Sequence, residues 1–505
     1  MILLERKILA IIATLFAVIF PILAITSKLT YLALVPILIF FGRGLLFNPS
    51  RLLVLALLCI AIQLKSPIGR FMMADILFLL FSAIVIVNIA MHKSTSFNSD
   101  KILDKLSILF LINMIVIIIF RGSGLAILGD IKVGGGAYIL WISSIAALYF
   151  CKYISLSYRQ AKYLIIGWLL LPLLNPLLEW LTIKTGGAIY PITQYFNIKF
   201  GTLYQAIVTQ DLETIRAGTV PISVFFQILS LLVLARKQSL ILFSIFAILG
   251  GIAILFTGFR SYLVAYAIVT FVSAYFLTKK KNTLLTFALV STTSLYISLL
   301  LLIDYVSFAI QRAVSFIPGL KVEGIALENA LETTTWRIEI WQLAIRDFWD
   351  YAFVGRGLAW EIKGWSNLFH GNWYQTPAFF YANHNYHSGP ITLIIDYGLP
   401  GTILWLMMQI YVIKQFRVTF IIAVKNASQS IICSFYTYGF IMITWDVIHF
   451  WFIYGQTSWM QKFISYIILL KLLQVVIERN YRNKENSINT DTGTKSLIPL
   501  KISNK

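Results

Sequence analysis

His387 and three arginines, Arg216, Arg260 and Arg337, are the residues of this chain whose types could do chemistry together. An imidazole titrates near neutrality, so it can accept the proton of a hydroxyl group as that hydroxyl attacks. Guanidinium forks stay charged and bind phosphate oxygens in pairs, which suits a diphosphate leaving group. Each residue alone has a plainer reading. A lone loop histidine is usually structural, and His384 competes for the role three residues earlier. A single surface arginine usually sits in an ion pair, and Arg337 has Glu332 and Glu339 close by in sequence.

The elements that must position these residues are membrane helices. Of 505 residues, 59% are hydrophobic and 12% charged, which excludes a single soluble core. Apolar runs near the ~20 residues that cross hydrocarbon recur along the chain, giving about twelve to fourteen spans. They lie near 8–26, 30–42, 52–64, 71–91, 103–120, 137–151, 163–180, 218–235, 239–257, 261–277, 283–303, 390–412, 429–448 and 459–477. The fold class is therefore an all-α polytopic membrane protein. The second and third runs are short enough to form one re-entrant hairpin.

More than half of the 41 basic residues fall in alternate loops and at the two ends, so the positive-inside rule puts both termini in the cytoplasm. The long segments 181–217 and 304–389 then face outward and carry Arg216, Arg337 and His387. Arg260 sits at an outer helix end with almost no loop around it, and an arginine there needs an anionic partner or a path to the headgroups. The net charge of +20 forms no compact basic patch with interleaved aromatics, which argues against nucleic acid and for topology and anionic lipid. Cys59, Cys151 and Cys433 lie inside apolar runs, which disfavours disulfides and zinc. The first run has no cleavage pattern after it and is expected to be a retained helix. The tail from Asn480 is polar and expected to be disordered.

Loops of this size in a helical bundle usually carry function. The stretch 304–389 holds three of the 5 histidines (His370, His384, His387) and six of the 13 tryptophans. Within it a helix is expected from Thr334 or Thr335, with Trp341, Ala344, Ile345, Phe348 and Ala352 on one face, its tryptophans acting as interface anchors. The Gly-, Asn- and aromatic-rich stretch after Gly355 suggests an irregular lid or cleft wall that contacts sugar rings. No HExxH, phosphate-binding Gly-rich loop or DxD occurs in the outward segments, so metal-dependent glycosyl transfer is disfavoured and no metal or cofactor is expected. The first outward turn, Ser27 to Thr30, lacks the acidic residue that large polyprenyl-phosphate glycosyltransferases keep there.

His387, Ser388, nine residues, Gly398, two residues and Gly401 resemble the H-[NSQ]-x9-G-x-x-[GTY] motif of the bacterial O-antigen ligase and polymerase superfamily. TGFRSYL around Arg260 resembles the T-x-S-R-x segment of that family, although Phe259 stands where a small residue is usual. WRIEIWQLAIRDFWDYAFVGRG resembles its R-x-x-x-W…G-x-G stretch. The resemblance covers roughly residues 250 to 415, and its spacing selects His387 over His384, leaving His384, Asn385, Gly398 and Gly401 as supporting residues.

The resemblance implies metal-independent transfer of an undecaprenyl-diphosphate-linked glycan on the outer face of the cytoplasmic membrane. His387 would be the general base, and Arg260 and Arg337 would hold the diphosphate; Arg216 is added from charge alone. The acceptor is a glycan, lipid A core or protein, with polymerisation and ligation nearly even, and a chain-length regulator is a further partner this reading allows. The competing class is a transporter or flippase of a lipid-linked oligosaccharide or small anion. Transporters usually show internal repeats and mid-span charges, whereas here the ionisable candidates gather at the outer rim. The expected organisation is a membrane scaffold over 1–240, helices opening the ligase-like region over 241–303, the large loop over 304–389, C-terminal helices over 390–478 and the tail over 479–505.

Overall fold

The computed structural model describes residues 48–66, 72–91, 100–122, 135–196, 218–322, 324–358 and 376–492. The runs expected at 8–26 and 30–42, together with Arg216 and His370, lie outside the described residues. Contacts separate the chain into units 1–52 and 53–505. Of the first unit only the opening of helix α1 (Pro49–Ile62) is described.

The second unit is built from helices α2 (Met73–Ala90), α3 (Lys101–Arg121), α4 (Gly135–Phe150), α5 (Tyr158–Leu170), α6 (Leu174–Lys184), α7 (Val220–Lys237), α8 (Leu240–Leu255), α9 (Arg260–Leu277) and α10 (Lys281–Leu302). After these come α11 (Phe308–Val314), α12 (Gly324–Arg346), α13 (Pro377–Ala382), α14 (Gly389–Asn426), α15 (Ile431–Phe452) and α16 (Thr457–Thr492). Among the described residues, 10 helices are long and apolar enough to cross a membrane, and Pro49–Ile62 and Leu240–Leu255 are shorter apolar helices. They fall where the last twelve expected runs were read. The protein is a multi-pass, all-α membrane protein.

Apolar side chains on both faces of one helix explain why the bundle needs lipid. On α3, Leu103, Leu106, Phe110, Met114 and Ile117 recur at helical spacing and are buried. Ile108, Ile112, Ile115 and Ile119 on the other side are exposed, Ile119 at 73%. A helix apolar all round is stable only where its outer face meets protein or hydrocarbon. At the core, Phe110 and Trp141 meet Tyr397 and Trp405 of α14, with ring centroids 5.5 to 5.9 Å apart. Gln227 of α7 donates to Thr270 Oγ1 of α9 at 2.8 Å and accepts from Tyr438 of α15 at 3.2 Å, so a polar clasp fixes the helix that Arg260 opens.

Three expectations change. Helix α12 starts at Gly324 rather than Thr334 or Thr335, because the preceding Ala, Leu and Glu residues are strong helix formers and extend the turn already nucleated downstream. The helix ends at Arg346, and Ile345, expected on the packed face, is 69% exposed; Ile340 and Ala344 form that face. Helix α16 runs on to Thr492, past Asn480 where the polar tail was read, since Glu, Arg and Lys there favour propagation of an existing helix.

Candidate active site

The segment between α13 and α14 carries both histidines. Helix α13 is started by Thr376, whose hydroxyl accepts from Phe379 N–H. It ends in a Schellman turn, in which His384 N–H donates to Tyr381 C=O at 3.2 Å and Asn385 N–H to Phe380 C=O at 2.9 Å. His384 thus occupies the left-handed position usually filled by glycine, with φ 55°. A side chain there costs on the order of 1–2 kcal/mol, and what offsets it is visible. The buried His384 ring places Nδ1 2.7 Å from Asp396 Oδ1, and Tyr386 O–H donates to the same oxygen at 2.8 Å.

Arg356 completes this network from the far side of the loop. Its Nη1 donates to the Tyr381 carbonyl at 2.9 Å and to Tyr386 Oη at 3.3 Å, and its guanidinium lies over the Tyr381 ring. Burial opposes the charge on Arg356, but Tyr386 and Asp396 beside it outweigh that and its pKa is raised. Burial and the neighbouring Asp396 likewise push the Tyr386 phenol well above its ordinary range, so it serves as a neutral donor.

The glycines of the histidine motif shape the backbone. Helix α14 breaks at Gly398, where φ is 70° and ψ 175°, a conformation essentially confined to glycine. Across this kink the strand-like stretch 352–357 is pinned by Arg356 N–H to Ile395 C=O at 2.6 Å, Gly357 N–H to Asp396 C=O at 3.0 Å and Leu399 N–H to the Ala352 C=O at 2.6 Å. A Cβ on Gly398 would sit 3.0 Å from Gly355 N and from Phe353 O; one on Gly355 would sit 2.6 Å from Asp396 O. Gly401 lets α3 approach, its missing Cβ lying 2.7 Å from Asn113 Nδ2, which also donates to the Tyr397 carbonyl.

Helix α12 docks on this platform. Ile340 and Ala344 bury against Tyr386 and Ile395, with Trp336, Trp341, Phe380 and Ile391 around them, and Trp341 Nε1–H donates to the Tyr386 carbonyl at 2.9 Å. Arg337 lies three and four residues before Ile340 and Trp341, hence on the same face. That docking brings Trp336 to His387, ring centroids 5.0 Å apart, and Tyr454 also meets the imidazole at 5.0 Å.

His387, unlike His384, is half-buried and keeps access to the surface. Tyr454 interacts electrostatically with Arg337, and Arg337 in turn with Arg260 at the start of α9. Burial pushes the Arg337 pKa down, and its Nε has no hydrogen-bond partner among the described residues. No carboxylate forms an ion pair with Arg260 or Arg337 among those residues. Two like charges held together without a counter-charge favour an anion between them.

The family model described as O-antigen ligase matches residues 245–406. These residues belong to the O-antigen ligase family. No curated protein matches the chain. The ligase-family region supports O-antigen ligase or polymerase-type activity in general, and it contains Arg260, Arg337, His384, His387, Gly398 and Gly401.

Of the candidates in the ligase-family region, the structure links His387 to Arg337 through Tyr454 and Arg337 electrostatically to Arg260, and sets His384 apart in the buried network. Asn385 closes the Schellman turn, and its side-chain carbonyl is buried without a partner among the described residues. Arg356, Asp396 and Tyr386 escaped sequence reasoning, as did Tyr454, which lies beyond the matched residues. An aspartate nine residues past His387 inside an apolar run was the available signal for Asp396. Nothing in the order of residues pointed to Tyr454.

Proposed function

We propose that the protein transfers an undecaprenyl-diphosphate-linked oligo- or polysaccharide to an acceptor hydroxyl on the outer face of the cytoplasmic membrane, without a metal. The observation that carries this reading is the pair of half-buried, electrostatically interacting arginines, Arg260 and Arg337, with no ion-paired carboxylate among the described residues, Arg337 interacting in turn with Tyr454, whose ring meets the His387 imidazole. In this reading both arginines bind the diphosphate of the donor. His387 takes the proton of the acceptor hydroxyl as its oxygen attacks the anomeric carbon; the sugar–phosphate bond breaks, and the arginines stabilise the charge on the departing undecaprenyl diphosphate.

Trp336, whose ring meets both His387 and Phe380, gives an apolar face suited to sugar rings. Arg216 is proposed as a third contact to the donor on charge grounds alone. Both a growing glycan, giving a polymerase, and a lipid A core or protein, giving a ligase, present the required hydroxyl.

Complementation of a deletion strain tests the reading. His387→Ala and Arg337→Ala should each fail to restore surface glycan while reaching the membrane in normal amount. Restoration by both variants would remove the enzyme assignment and leave a scaffold or transporter.

A further inference from the structure

Tyr454 lies in the turn between α15 and α16, where its ring meets the His387 imidazole. The turn is held from below, Ile453 and Tyr454 N–H both donating to the His449 carbonyl at 2.9 and 2.8 Å. It is locked to the start of α14 as well. Gly455 packs so closely on the Gly389 backbone that any side chain there would collide, and Thr392 Oγ1 donates to the Gly455 carbonyl at 3.3 Å. The Tyr454 ring therefore sits on rigid backbone, with Trp459 at 5.9 Å and His449 at 6.2 Å behind it and the His387 imidazole at 5.0 Å in front.

Its phenol interacts electrostatically with both Arg337 and Tyr262, the latter two residues after Arg260. Burial raises the Tyr454 pKa above its ordinary value while Arg337 draws it back, leaving a neutral hydroxyl able to donate and accept. His387 has a left-handed backbone, φ 53°, at the junction of a turn and a helix. A histidine so placed depends on packing for the direction of its ring.

We propose that Tyr454 is the positioning residue that holds the His387 imidazole in register with the Arg260 and Arg337 pair, through its ring on one side and its hydroxyl on the other. The proposal rests on the reading of the site as a glycosyl transferase. It separates two contributions. The ring sets the direction of the proton acceptor and so governs turnover. The hydroxyl serves the arginine side and governs donor affinity.

The test uses the full-length protein in lipid nanodiscs and donor extracted from a deletion strain, in which lipid-linked glycan accumulates. Tyr454→Phe keeps the ring; turnover at saturating donor should stay within about threefold of wild type while KM for donor rises several-fold. Tyr454→Ala removes both, and saturated turnover should fall on the order of tenfold to a hundredfold, the scale of a misplaced reacting group. Binding of undecaprenyl diphosphate alone should weaken equally in the two variants, because both lack the hydroxyl.

Wild-type turnover in Tyr454→Ala, with His387→Ala inactive, would overturn this inference and leave the enzyme assignment standing. Wild-type turnover in His387→Ala as well would remove both. If Tyr454→Ala does not fold, the Phe variant decides alone: a fall in saturated turnover with unchanged KM refutes the division proposed between ring and hydroxyl.

Discussion

His384 and His387 are three residues apart, share a left-handed backbone and differ in everything around their rings. His384 is buried, bonded to Asp396 and tied through Tyr386 to Arg356, so a carboxylate and a guanidinium balance one another within the protein, while Asp396 Oδ2 and Arg356 Nε have no hydrogen-bond partner among the described residues. His387 is half-buried against the rings of Trp336 and Tyr454, and Tyr454 interacts with Arg337, a cation that has no carboxylate partner among the described residues. The first region is electrostatically closed and the second is open. A closed network holds shape, whereas an open cationic one has affinity left for a ligand.

The comparison breaks most readily at His387. His387→Ala should lower glycan transfer by on the order of a hundredfold or more, the usual contribution of a positioned general base, with thermal stability close to wild type. His384→Ala should do the reverse, costing about 1–3 kcal/mol of stability through the unsatisfied Asp396 while each folded molecule retains most of its transfer activity. Thermal unfolding in detergent alongside transfer assays would check both, and equal losses of activity in the two variants would dissolve the distinction between the regions.

Arg337→Lys sharpens the anion side. The charge is kept and the planar fork lost, so KM for donor should rise roughly tenfold with a smaller change in saturated turnover. Since burial lowers the Arg337 pKa only from a very high starting point, donor affinity should not change through titration of this group between pH 6 and 8, a flat profile that donor binding across pH would reveal. Smaller effects are expected at the motif glycines. Gly398→Ala should cost about 1–3 kcal/mol through its left-handed backbone and its collision with the Gly355 loop. Gly401→Ala meets an Asn113 side chain that is able to shift but also, at 2.7 Å, the Tyr397 Cβ that is fixed to its backbone, and should cost about 1–3 kcal/mol.

Much of the helical framework was legible because hydrocarbon imposes a simple rule of length and polarity, and each run among the described residues, such as 103–120 or 261–277, has a helix at its place. Helix α12 was legible in type but not in extent. Its start is set by propensity upstream of Thr334, and its buried face by docking on Tyr386 and Ile395, so Ile345 turned outward against the pattern. The spacing from His387 to Gly398 and Gly401 separated the two histidines by resemblance alone.

The sequence by itself determined that the chain is a bundle of apolar helices with basic side chains biased to alternate loops, and that a histidine and arginines fall near helix ends. These follow from local composition, because solvation by lipid acts on each segment separately. Only the tertiary structure decided that His384 bonds Asp396, that the His387 ring meets those of Trp336 and Tyr454, and that Arg260 and Arg337 interact electrostatically. Those pairings join residues 12 to 77 positions apart in the chain, and they depend on how a kink at Gly398 and a docked helix aim side chains, which no local property of the chain encodes.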